Sequence, residues 1–502
     1  MAKYLRLFDE HIDYEAAESS LILPNVSFCI DTPNEVHYNP YIVCEETSVY
    51  EVVGVPSYPA TVDGADTSFD ITVNYRRTDT DTACTDTVTE GTDTVTVEIG
   101  ANPSSSNTRT VTGTVDYYGN EIEYSVTQSK FEAKVTAKFN VTDTSSPTKI
   151  ASGTSSFSSI EIDGVEQPSV SSGYTFDTTG EHTIKYTLKD PTIIAINALR
   201  DCSSLTSVTI PDSVISIGDY AFRDCSSLTS IDIPDSVTSI GNQVFRNCSG
   251  LTSCTIGSGV TSIGQAAFRE CSSLSSITVD NNNTAYDSRN NCNAIIETST
   301  NVLILGCKNT VIPNTVTSIG GRAFFGATNL ISIDIPNSVT SIGDSAFQCC
   351  TSLTSIIIPD SVTSIGNSAF YSATSLTSID IPNSVTSMDD SVFNKCISLT
   401  TATIGSGVTS IGSYTFAECR GLTSVTIPDS VTSIGNSAFT YCTSLSNITC
   451  NATTAPTIQN NTFYNVKTNG TLYVPQGSTG YNVWMETRNY YLGKYYWKKV
   501  EQ

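Results

Sequence analysis

The sequence predicts a mainly β chain in which an extended N-terminal arm leads into one or two β-sandwiches and then into a long solenoid of stacked repeats. Three observations indicate this architecture. The decapeptide SVTSIGNSAF stands at residues 361–370 and again at 430–439, three periods of 23 residues apart. Stretches between residues 51 and 190 alternate apolar and polar side chains, which is typical of half-buried strands. Charged residues are only 15% of the 502 residues, and abundant serine and threonine favour β structure over helical bundles.

Residues 1–50 are predicted to form an extended arm rather than a domain, because the stretch SLILPNVSFCIDTPNEVHYNPY combines prolines with several turn-forming residues. An arm of this kind needs a surface to lie on. We therefore interpret it as a segment that anchors the chain to a larger assembly. The residues expected to make this attachment are Leu23, Pro24, Asn25, Val26, His37 and Tyr38.

Residues 51–130 predict an immunoglobulin-like β-sandwich, because SFDITVNYR, DTVTVEIG and NEIEYSVTQ are short alternating strands separated by turn formers. The end of this region, SSNTRTVTGTV followed by EIEYSVTQ, resembles the BACON domain, an immunoglobulin-like module of gut Bacteroidota proteins and their phages. The stretch that carries the resemblance ends with Val126, Thr127 and Gln128. Residues 131–190 repeat the alternation in KVTAKFNV, SSIEIDGV and EHTIKYTL. They predict a second sandwich-like domain.

From residue 191 the chain is a series of repeats in which a small residue, cysteine or alanine, is followed three residues later by leucine. In one coil, Leu228, Ile231 and Ile233 face inward from a strand that Pro234 ends, because proline cannot donate to a ladder. A short helical turn that carries Phe245 is predicted to follow. One coil cannot bury these groups by itself, but about eleven stacked coils can.

Each unit is a leucine-rich repeat, and the phrases IPDSVTSIG and NSAFxxCxSLTS resemble the BspA-like subfamily of these repeats. The solenoid is predicted over residues 191–465. Its period breaks between Cys271 and Ala327. The inserted text at 275–310 resembles the longer coil with an extra hairpin that occurs in the same subfamily.

Residues 466–502 lose the repeat but keep apolar and aromatic residues. We predict that they cover the last coil as a C-terminal cap. The alternative interpretation is an aromatic platform on which sugars stack, with Trp484, Tyr491 and Trp497 among its candidate residues.

The cysteines are interpreted as packing residues rather than as disulfides, metal ligands or redox centres. Eight of the 16 recur at the repeat period, and Ala327 and Ala373 fill the same column, so the position selects a small buried side chain. No CxxC pair with a partner histidine occurs. One acidic cluster could hold calcium, but it lacks the ligand ladder of an EF-hand loop, so a polar turn is predicted. This cluster comprises Asp280, Asn281, Asn282, Asn283 and Asp287.

Composition and motifs argue against catalysis, nucleic-acid binding and membrane insertion. The three histidines, His11, His37 and His182, lie far apart in sequence and no nucleophile motif accompanies them. The net charge of −25 repels nucleic acid. No stretch approaches about 18 apolar residues, and the N-terminus is not expected to be a secretion signal, since it lacks an apolar core. We predict a non-enzymatic protein that needs no cofactor.

The outward positions of the repeat strands predict the binding surface, a broad sheet of hydroxyls and scattered carboxylates. This surface holds almost no aromatic residue, although Tyr, Trp and Arg usually dominate binding hot spots. Its representative residues are Thr229, Asp232, Asp334, Thr377 and Asp380.

We predict a phage virion surface protein, of fibre or decoration type, that displays its β-sandwich and repeat modules for attachment to a host-surface glycan, mucin or protein. Its arm would bind capsid or tail proteins, and assembly into homo-oligomers is an open alternative. A second prediction is a bacterial cell-surface adhesin, which the BspA resemblance implies. A polysaccharide-directed enzyme ranks last, because the chain shows no catalytic domain.

Overall fold

The computed structural model describes residues 47–52, 56–59, 61–62, 68–80, 86–98, 108–129, 133–488 and 490–502. The six residues predicted to anchor the chain, between Leu23 and Tyr38, lie outside this part. The chain divides into two compact units, Met1–Glu132 and Ala133–Gln502. Among the described residues, no helix has the length and the apolar character that a membrane crossing needs.

The first unit contains two three-stranded sheets, with strand orders β1-β3-β4 and β2-β6-β5. Apolar residues from both sheets, such as Ile71, Val95 and Val126, share one buried core. Strand β2 pairs with β6 in parallel. The immunoglobulin-like topology of this unit stays a prediction. The strands are β1 (Thr47–Val52), β2 (Thr61–Val62), β3 (Ser68–Thr80), β4 (Asp86–Glu98), β5 (Thr108–Tyr117) and β6 (Asn120–Ser129).

The second unit begins with strands that the sequence assigned to a separate sandwich-like domain over 131–190. The structure instead joins them to the solenoid, because β7 pairs with β14 of the first coil in a sheet of order β10-β9-β12-β7-β14. This sheet closes the N-terminal end of the stack. Its strands and their small companion sheet are β7 (Lys134–Val141), β8 (Thr148–Lys149), β9 (Phe157–Ile162), β10 (Val165–Glu166), β11 (Gly173–Tyr174), β12 (Gly180–Leu188) and β14 (Leu205–Thr209).

The solenoid makes about 13 turns over residues 193–501, and its strands form two parallel columns. The short-strand column contains β13 (Ile193–Ile194), β15 (Ser216–Ile217), β17 (Ser239–Ile240), β19 (Ser262–Ile263), β24 (Ser318–Ile319), β25 (Ser341–Ile342), β26 (Ser364–Ile365), β28 (Ser387–Met388), β30 (Ser410–Ile411), β32 (Ser433–Ile434) and β34 (Thr457–Ile458). The long-strand column contains β14, β16 (Ser230–Ile233), β18 (Ser253–Ile256), β20 (Ser276–Val279), β27 (Ser378–Asp380), β29 (Thr401–Thr403), β31 (Ser424–Ile427), β33 (Asn447–Cys450), β35 (Thr471–Val474) and β36 (Lys498–Glu501).

A third column, the turn column, holds the phenylalanines. The segment predicted as a short helical turn is not helical: around Phe245, the residues Gln243 (φ 52°) and Asn247 (φ 59°) have left-handed backbone. This alternation points every second amide at the next coil, so that the amide of Phe245 donates to the Ala267 carbonyl at 2.7 Å. The same geometry recurs along the stack. The turn column is therefore a third hydrogen-bonded ladder between coils.

The phenylalanine rings stack along the inside of the turn column. From Phe324 to Phe463, neighbouring ring centroids lie 5.0 to 5.8 Å apart with interplanar angles of 5° to 13°. Phe370, in the middle of the stack, is fully buried. Each ring buries the next one, which is why a single coil cannot form this core.

The cysteine column lies beside the rings, and its thiols donate to the coil before. The Cys396 Sγ lies 3.2 Å from the Phe370 carbonyl, and burial raises the pKa of Cys396 to about 12. A protonated thiol in this position satisfies a carbonyl that Ala373 cannot. The same contact to the preceding coil is made by Cys225, Cys248, Cys271, Cys350, Cys419 and Cys442.

The insert interrupts the stack with an antiparallel hairpin. Strands β21 (Tyr286–Asp287), β22 (Ala294–Glu297) and β23 (Val302–Gly306) pair in order, and β23 then pairs in parallel with β24. The hairpin thus supplies the short-strand column with one strand. It adds no phenylalanine to the turn column.

The segment predicted as a cap, residues 466–502, contributes β35 and β36 to the long-strand column, and the rest of it packs on the last coils. Trp484 and Trp497 are both buried, and their indole Nε1 groups donate to the carbonyls of Pro456 at 3.0 Å and Lys467 at 2.7 Å. These tryptophans therefore do not form an exposed platform for sugars. Three short 3₁₀ turns are the helical segments of the described chain, at Thr154–Ser156, Arg289–Asn291 and Leu492–Tyr495.

Candidate binding surfaces

The strand surface predicted from the sequence is exposed, as expected, but its threonine hydroxyls already donate hydrogen bonds to the preceding coil. The Oγ1 of Thr229 donates to the Thr206 carbonyl at 3.2 Å, and that of Thr377 donates to the Thr354 carbonyl at 3.3 Å. Equivalent threonines continue this ladder along the solenoid, as the Thr400 Oγ1 does to the Thr377 carbonyl. These hydroxyls stabilise the stack and have no proton left to donate to a ligand.

The three carboxylates of the same surface do not form one cluster. Asp232 lies in the sheet before the insert, opposite Thr255, whereas Asp334 and Asp380 lie beyond the insert. Ile357 stands between Asp334 and Asp380 in the column, with four-fifths of its surface exposed. Because neighbouring strands are about 4.8 Å apart, a small ligand cannot contact Asp232 and Asp380 together.

The aromatic and arginine side chains that a binding surface needs lie on the turn column instead. Here most residues two positions before and one or two positions after each phenylalanine are at least partly exposed, and several of them pair a cation with a ring. The guanidinium of Arg269 lies 3.9 Å from the centroid of the Phe325 ring, and the Lys395 ammonium lies 5.3 Å from that of Tyr371. We call this surface the turn face. It comprises Tyr220, Arg223, Arg246, Arg269, Phe325, Tyr371, Lys395, Tyr414, Tyr441 and Tyr464.

The C-terminal part of the turn face carries a row of exposed tyrosines. Tyr441 and Tyr464 meet edge to face with centroids 5.4 Å apart, and Tyr464 lies 5.4 Å from Tyr490 at a tilt of 59°. Each is between 37% and 40% exposed. The Tyr464 hydroxyl raises the pKa of Tyr441, so the Tyr441 phenol stays a neutral hydrogen-bonding group at physiological pH. We call these three residues the tyrosine row.

Sequence reasoning missed this face because it followed the inward columns and the strand positions. The signal was present in the repeat, at the positions one and two residues after each phenylalanine, where Arg223, Tyr371, Tyr441 and Tyr464 stand. Reading those positions as outward requires the left-handed backbone on both sides of the ring. A helical turn, as predicted, would have placed them differently.

The described residues hold no cluster of His, Cys, Asp and Glu that could bind a metal ion. In the acidic cluster considered for calcium, the Asp280 Oδ1 accepts the Asn282 amide at 2.8 Å, and Asn283 donates to two carbonyls of the preceding coil. The Asp287 carboxylate is paired with the Arg289 guanidinium. These side chains therefore build turns of the insert.

His182, the one histidine in the described part of the chain, is buried and paired. Its Nδ1 lies 2.7 Å from the Asp163 carboxylate, and its Nε2 lies 2.9 Å from the Thr178 carbonyl. Burial lowers the pKa of His182, but these two contacts together raise it above its ordinary value of 6.5. The pair joins the ends of two strands of the N-terminal sheet.

Comparison with known proteins identifies the repeat. The family described as "BspA type Leucine rich repeat region" matches this chain in six copies, across residues 192–301, 304–423 and 409–482. These ranges cover more than half of the chain. The protein belongs to the BspA-type leucine-rich repeat family.

Several solved structures are similar to this chain. A leucine rich cell surface protein from Faecalibacterium prausnitzii A2-165 is 31% identical over 47% of this chain and 76% of its own, with a TM-score of 0.36. A leucine-rich repeat protein from Bacteroides ovatus is 23% identical over 65% of this chain and 90% of its own, with a TM-score of 0.36. A leucine-rich repeat protein from Eubacterium ventriosum is 22% identical over 59% of this chain and 84% of its own, with a TM-score of 0.42. No curated protein matches the chain.

Proposed function

We propose that this protein is a non-enzymatic cell-surface protein whose turn face attaches to a host-surface protein. The tyrosine row is the observation that carries this proposal. Tyrosine and arginine are enriched among binding hot spots because they bury a large apolar area and still offer hydrogen bonds. The strand surface predicted from the sequence holds almost no such residue, and its threonine hydroxyls donate hydrogen bonds between coils.

A protein partner suits the tyrosine row better than a glycan. The rings of Tyr441 and Tyr464 stand at 87° to each other, so they present edges and faces in different directions rather than one flat platform. Carbohydrate binding, which the sequence predicted, is therefore the second candidate. The net charge of −25 disfavours sulfated or sialylated glycans in particular.

The cell-surface location is supported by the family and by the printed description of the F. prausnitzii protein as a leucine rich cell surface protein. This location was the alternative in the sequence-based prediction. The virion role depended on the N-terminal arm and on the BACON resemblance, and the comparisons support neither. Antibody labelling of intact bacteria, with purified phage particles as the second sample, distinguishes the two locations.

A binding experiment tests the turn face directly. The full chain and a variant with Tyr441→Ala, Tyr464→Ala and Tyr490→Ala are compared for binding to an array of host epithelial surface proteins and neutral glycans. We expect the variant to lose at least about tenfold in affinity. The matched control is Thr229→Ala, Asp334→Ala and Asp380→Ala on the strand face. Equal loss in both variants, or loss in the control alone, contradicts the proposal.

The absence of catalysis and of a cofactor belongs to the same proposal. It is supported by the raised thiol pKa values of the cysteine column and by the paired state of His182. The BACON-like assignment of residues 51–130 also stays a proposal. Its two packed sheets are compatible with a display module, and a structure of this region solved by experiment would test the topology.

A further inference from the structure

The stack of turns has a gap where the insert enters. Between the turn at 264–271 and the turn at 320–327 lies a cavity of about 550 Å³. We call it the junction slot. The insert fills the level between these turns only in part. The Gly306 amide donates to the Ala323 carbonyl at 2.9 Å, the bond that a phenylalanine amide makes in other coils, but Gly306 has no side chain to fill the turn column. Phe268 and Phe324, from the two sides, both line the cavity.

The gap leaves two backbone donors without acceptors. In the coil before, the amides of Gln243 and Phe245 donate to the carbonyls of Gln265 and Ala267. The equivalent amides one coil later belong to Ala266 and Phe268, and the described part of the chain offers neither of them a carbonyl partner. Phe268 is buried and Ala266 is half-buried. Buried backbone amides are nearly always paired, so the Phe268 amide in particular needs a ligand or water.

The two coils are in contact beside the slot. The Glu270 amide reaches the Phe325 carbonyl at 3.4 Å, and the Asn329 Nδ2 donates to the Ser272 carbonyl at 2.9 Å. These contacts hold the two turns apart at a set distance. The cavity between them is therefore a built feature of the junction.

The charged residues of the slot favour an anion. Arg322 and Lys308 line it, and neither forms an ion pair with a described residue. Arg269 also lines it but is paired with Glu270. One carboxylate, Asp344, lies among the lining residues, and its Oδ1 accepts an amide of the following coil, that of Asn367, at 2.8 Å. Two unpaired cations are unusual in a chain with a net charge of −25.

The rest of the slot is apolar. Its walls include the rings of Phe268 and Phe324 together with Leu274 and Leu330. Ile263, which lines the slot, is half-buried, whereas Ile240, at the same position one coil earlier, is only 1% exposed. The incomplete level thus leaves apolar surface at Ile263 that the next coil covers at Ile240.

We propose that the junction slot binds a small organic carboxylate with an apolar body. The carboxylate accepts from the amides of Ala266 and Phe268, since alternating left- and right-handed residues aim neighbouring amides at an anion. Arg322 and Lys308 supply the opposite charge, and the apolar body packs between Phe268 and Phe324. The volume lies within the usual range of ligand pockets, about 300–1,000 Å³.

Calorimetry on the full chain tests this site with phenylacetate as the probe. Phenylacetamide and 2-phenylethylamine keep the ring but remove or reverse the charge. We expect phenylacetate to bind at least about tenfold more tightly than either. Equal binding of the amide, or no binding of phenylacetate at millimolar concentration, overturns the proposal. Binding of a neutral acetylated tetrapeptide amide in place of phenylacetate also overturns it, because the slot would then accept a peptide strand.

Two variants locate the binding. Arg322→Gln with Lys308→Gln should weaken phenylacetate binding at least about tenfold. Lys467→Gln with Lys494→Gln, the same change of charge at two exposed positions in the C-terminal segment, should not. Ala327→Leu places extra carbons in the slot and should also reduce binding. If both variants bind like the unaltered chain, the site is wrong. The tyrosine-row variant should bind phenylacetate normally, which separates this site from the proposed attachment surface.

Discussion

The continuous stack from Phe324 to Phe463 and the junction at the insert are built from the same repeat, yet they differ in what each coil leaves exposed. In the stack, every ring, amide and thiol of one coil is matched by the next. At the junction, Phe268 faces a cavity and two amides have no acceptor. The difference teaches that in a solenoid the packing of each coil depends on its neighbours, and that an incomplete level leaves a cavity.

The largest expected effect is on the phenylalanine stack. Phe370→Ala should lower the free energy of unfolding by about 3–5 kcal/mol, because it opens a cavity between two stacked rings. Phe268→Ala should cost at least about 1 kcal/mol less, since one side of that ring already faces a cavity. Urea unfolding followed by tryptophan fluorescence measures both, because Trp484 and Trp497 lie in the second unit. Equal costs would mean that the junction is as tightly packed as the stack.

The glycines give the next largest contrast. A Cβ on Gly435 would lie 2.6 Å from the Ser413 amide nitrogen, whereas one on Gly321 would meet nothing closer than 3.4 Å. Gly435→Ala should therefore destabilise the chain by about 1–3 kcal/mol, and Gly321→Ala should be close to neutral. The shift in thermal unfolding midpoint tests this pair. Gly321 stands at the position that Asn436 fills beside Gly435, so a large loss in Gly321→Ala would contradict the space that the turn leaves for a side chain there.

The N-terminal end of the stack is closed by a sheet, and its His182–Asp163 pair should make stability there depend on pH. The raised pKa of His182 means that its contribution is full below pH 6.5 and is lost as the pH rises through the folded value. The lowered pKa of Asp163 means that its contribution is full above pH 3.8 and is lost as the pH falls through the folded value. His182→Gln should thus cost about 1 kcal/mol near pH 5.5.

The same variant should cost less near pH 8.5, because the contribution of the charged histidine is lost as the pH rises through the raised pKa of His182. Urea unfolding at the two pH values gives the comparison, and Thr183→Val in the same strand serves as a control without a titrating group. A loss of stability for His182→Gln that is larger near pH 8.5 than near pH 5.5 would contradict the charged His182–Asp163 pair.

The smallest expected effect concerns the hydroxyl ladder. Thr400→Val removes the bond from the Thr400 Oγ1 to the Thr377 carbonyl and should cost about 0.5–1 kcal/mol. Ile331 occupies the same column at the junction, where the carbonyl of Ser275 accepts from Asn309 instead. Ile331→Thr should therefore gain no stability. A gain as large as the loss at Thr400 would show that the ladder continues across the insert.

Much of the fold could be predicted from the sequence because repetition shows the columns directly. The position shared by Cys396 and Ala373 indicated a buried small side chain, and the leucine and phenylalanine columns indicated the core. The turn conformation could not be predicted, because a phenylalanine within a polar segment is compatible with a helical turn. The left-handed residues on both sides of it are stabilised by hydrogen bonds to the next coil, and these depend on stacking.

The candidate sites were less accessible to sequence reasoning. The strand-face residues, such as Thr229 and Asp380, are exposed as predicted, and whether they bind a ligand stays a prediction. The sequence did not reveal that the hydroxyl of Thr229 donates to the coil before it. It also did not show that Tyr441, Tyr464 and Tyr490 meet on one face, because Tyr490 comes from the cap, outside the repeat.

The sequence by itself determined that the second unit is a stacked solenoid with reserved inner columns and that its period breaks between Cys271 and Ala327. Only the tertiary structure decided that the strands after residue 133 belong to the solenoid and that the break leaves the amides of Ala266 and Phe268 unmatched. The physical reason is that apolar periodicity is a local property of the sequence and is present in every coil. The pairing of a backbone group depends on which coil lies next to it in space.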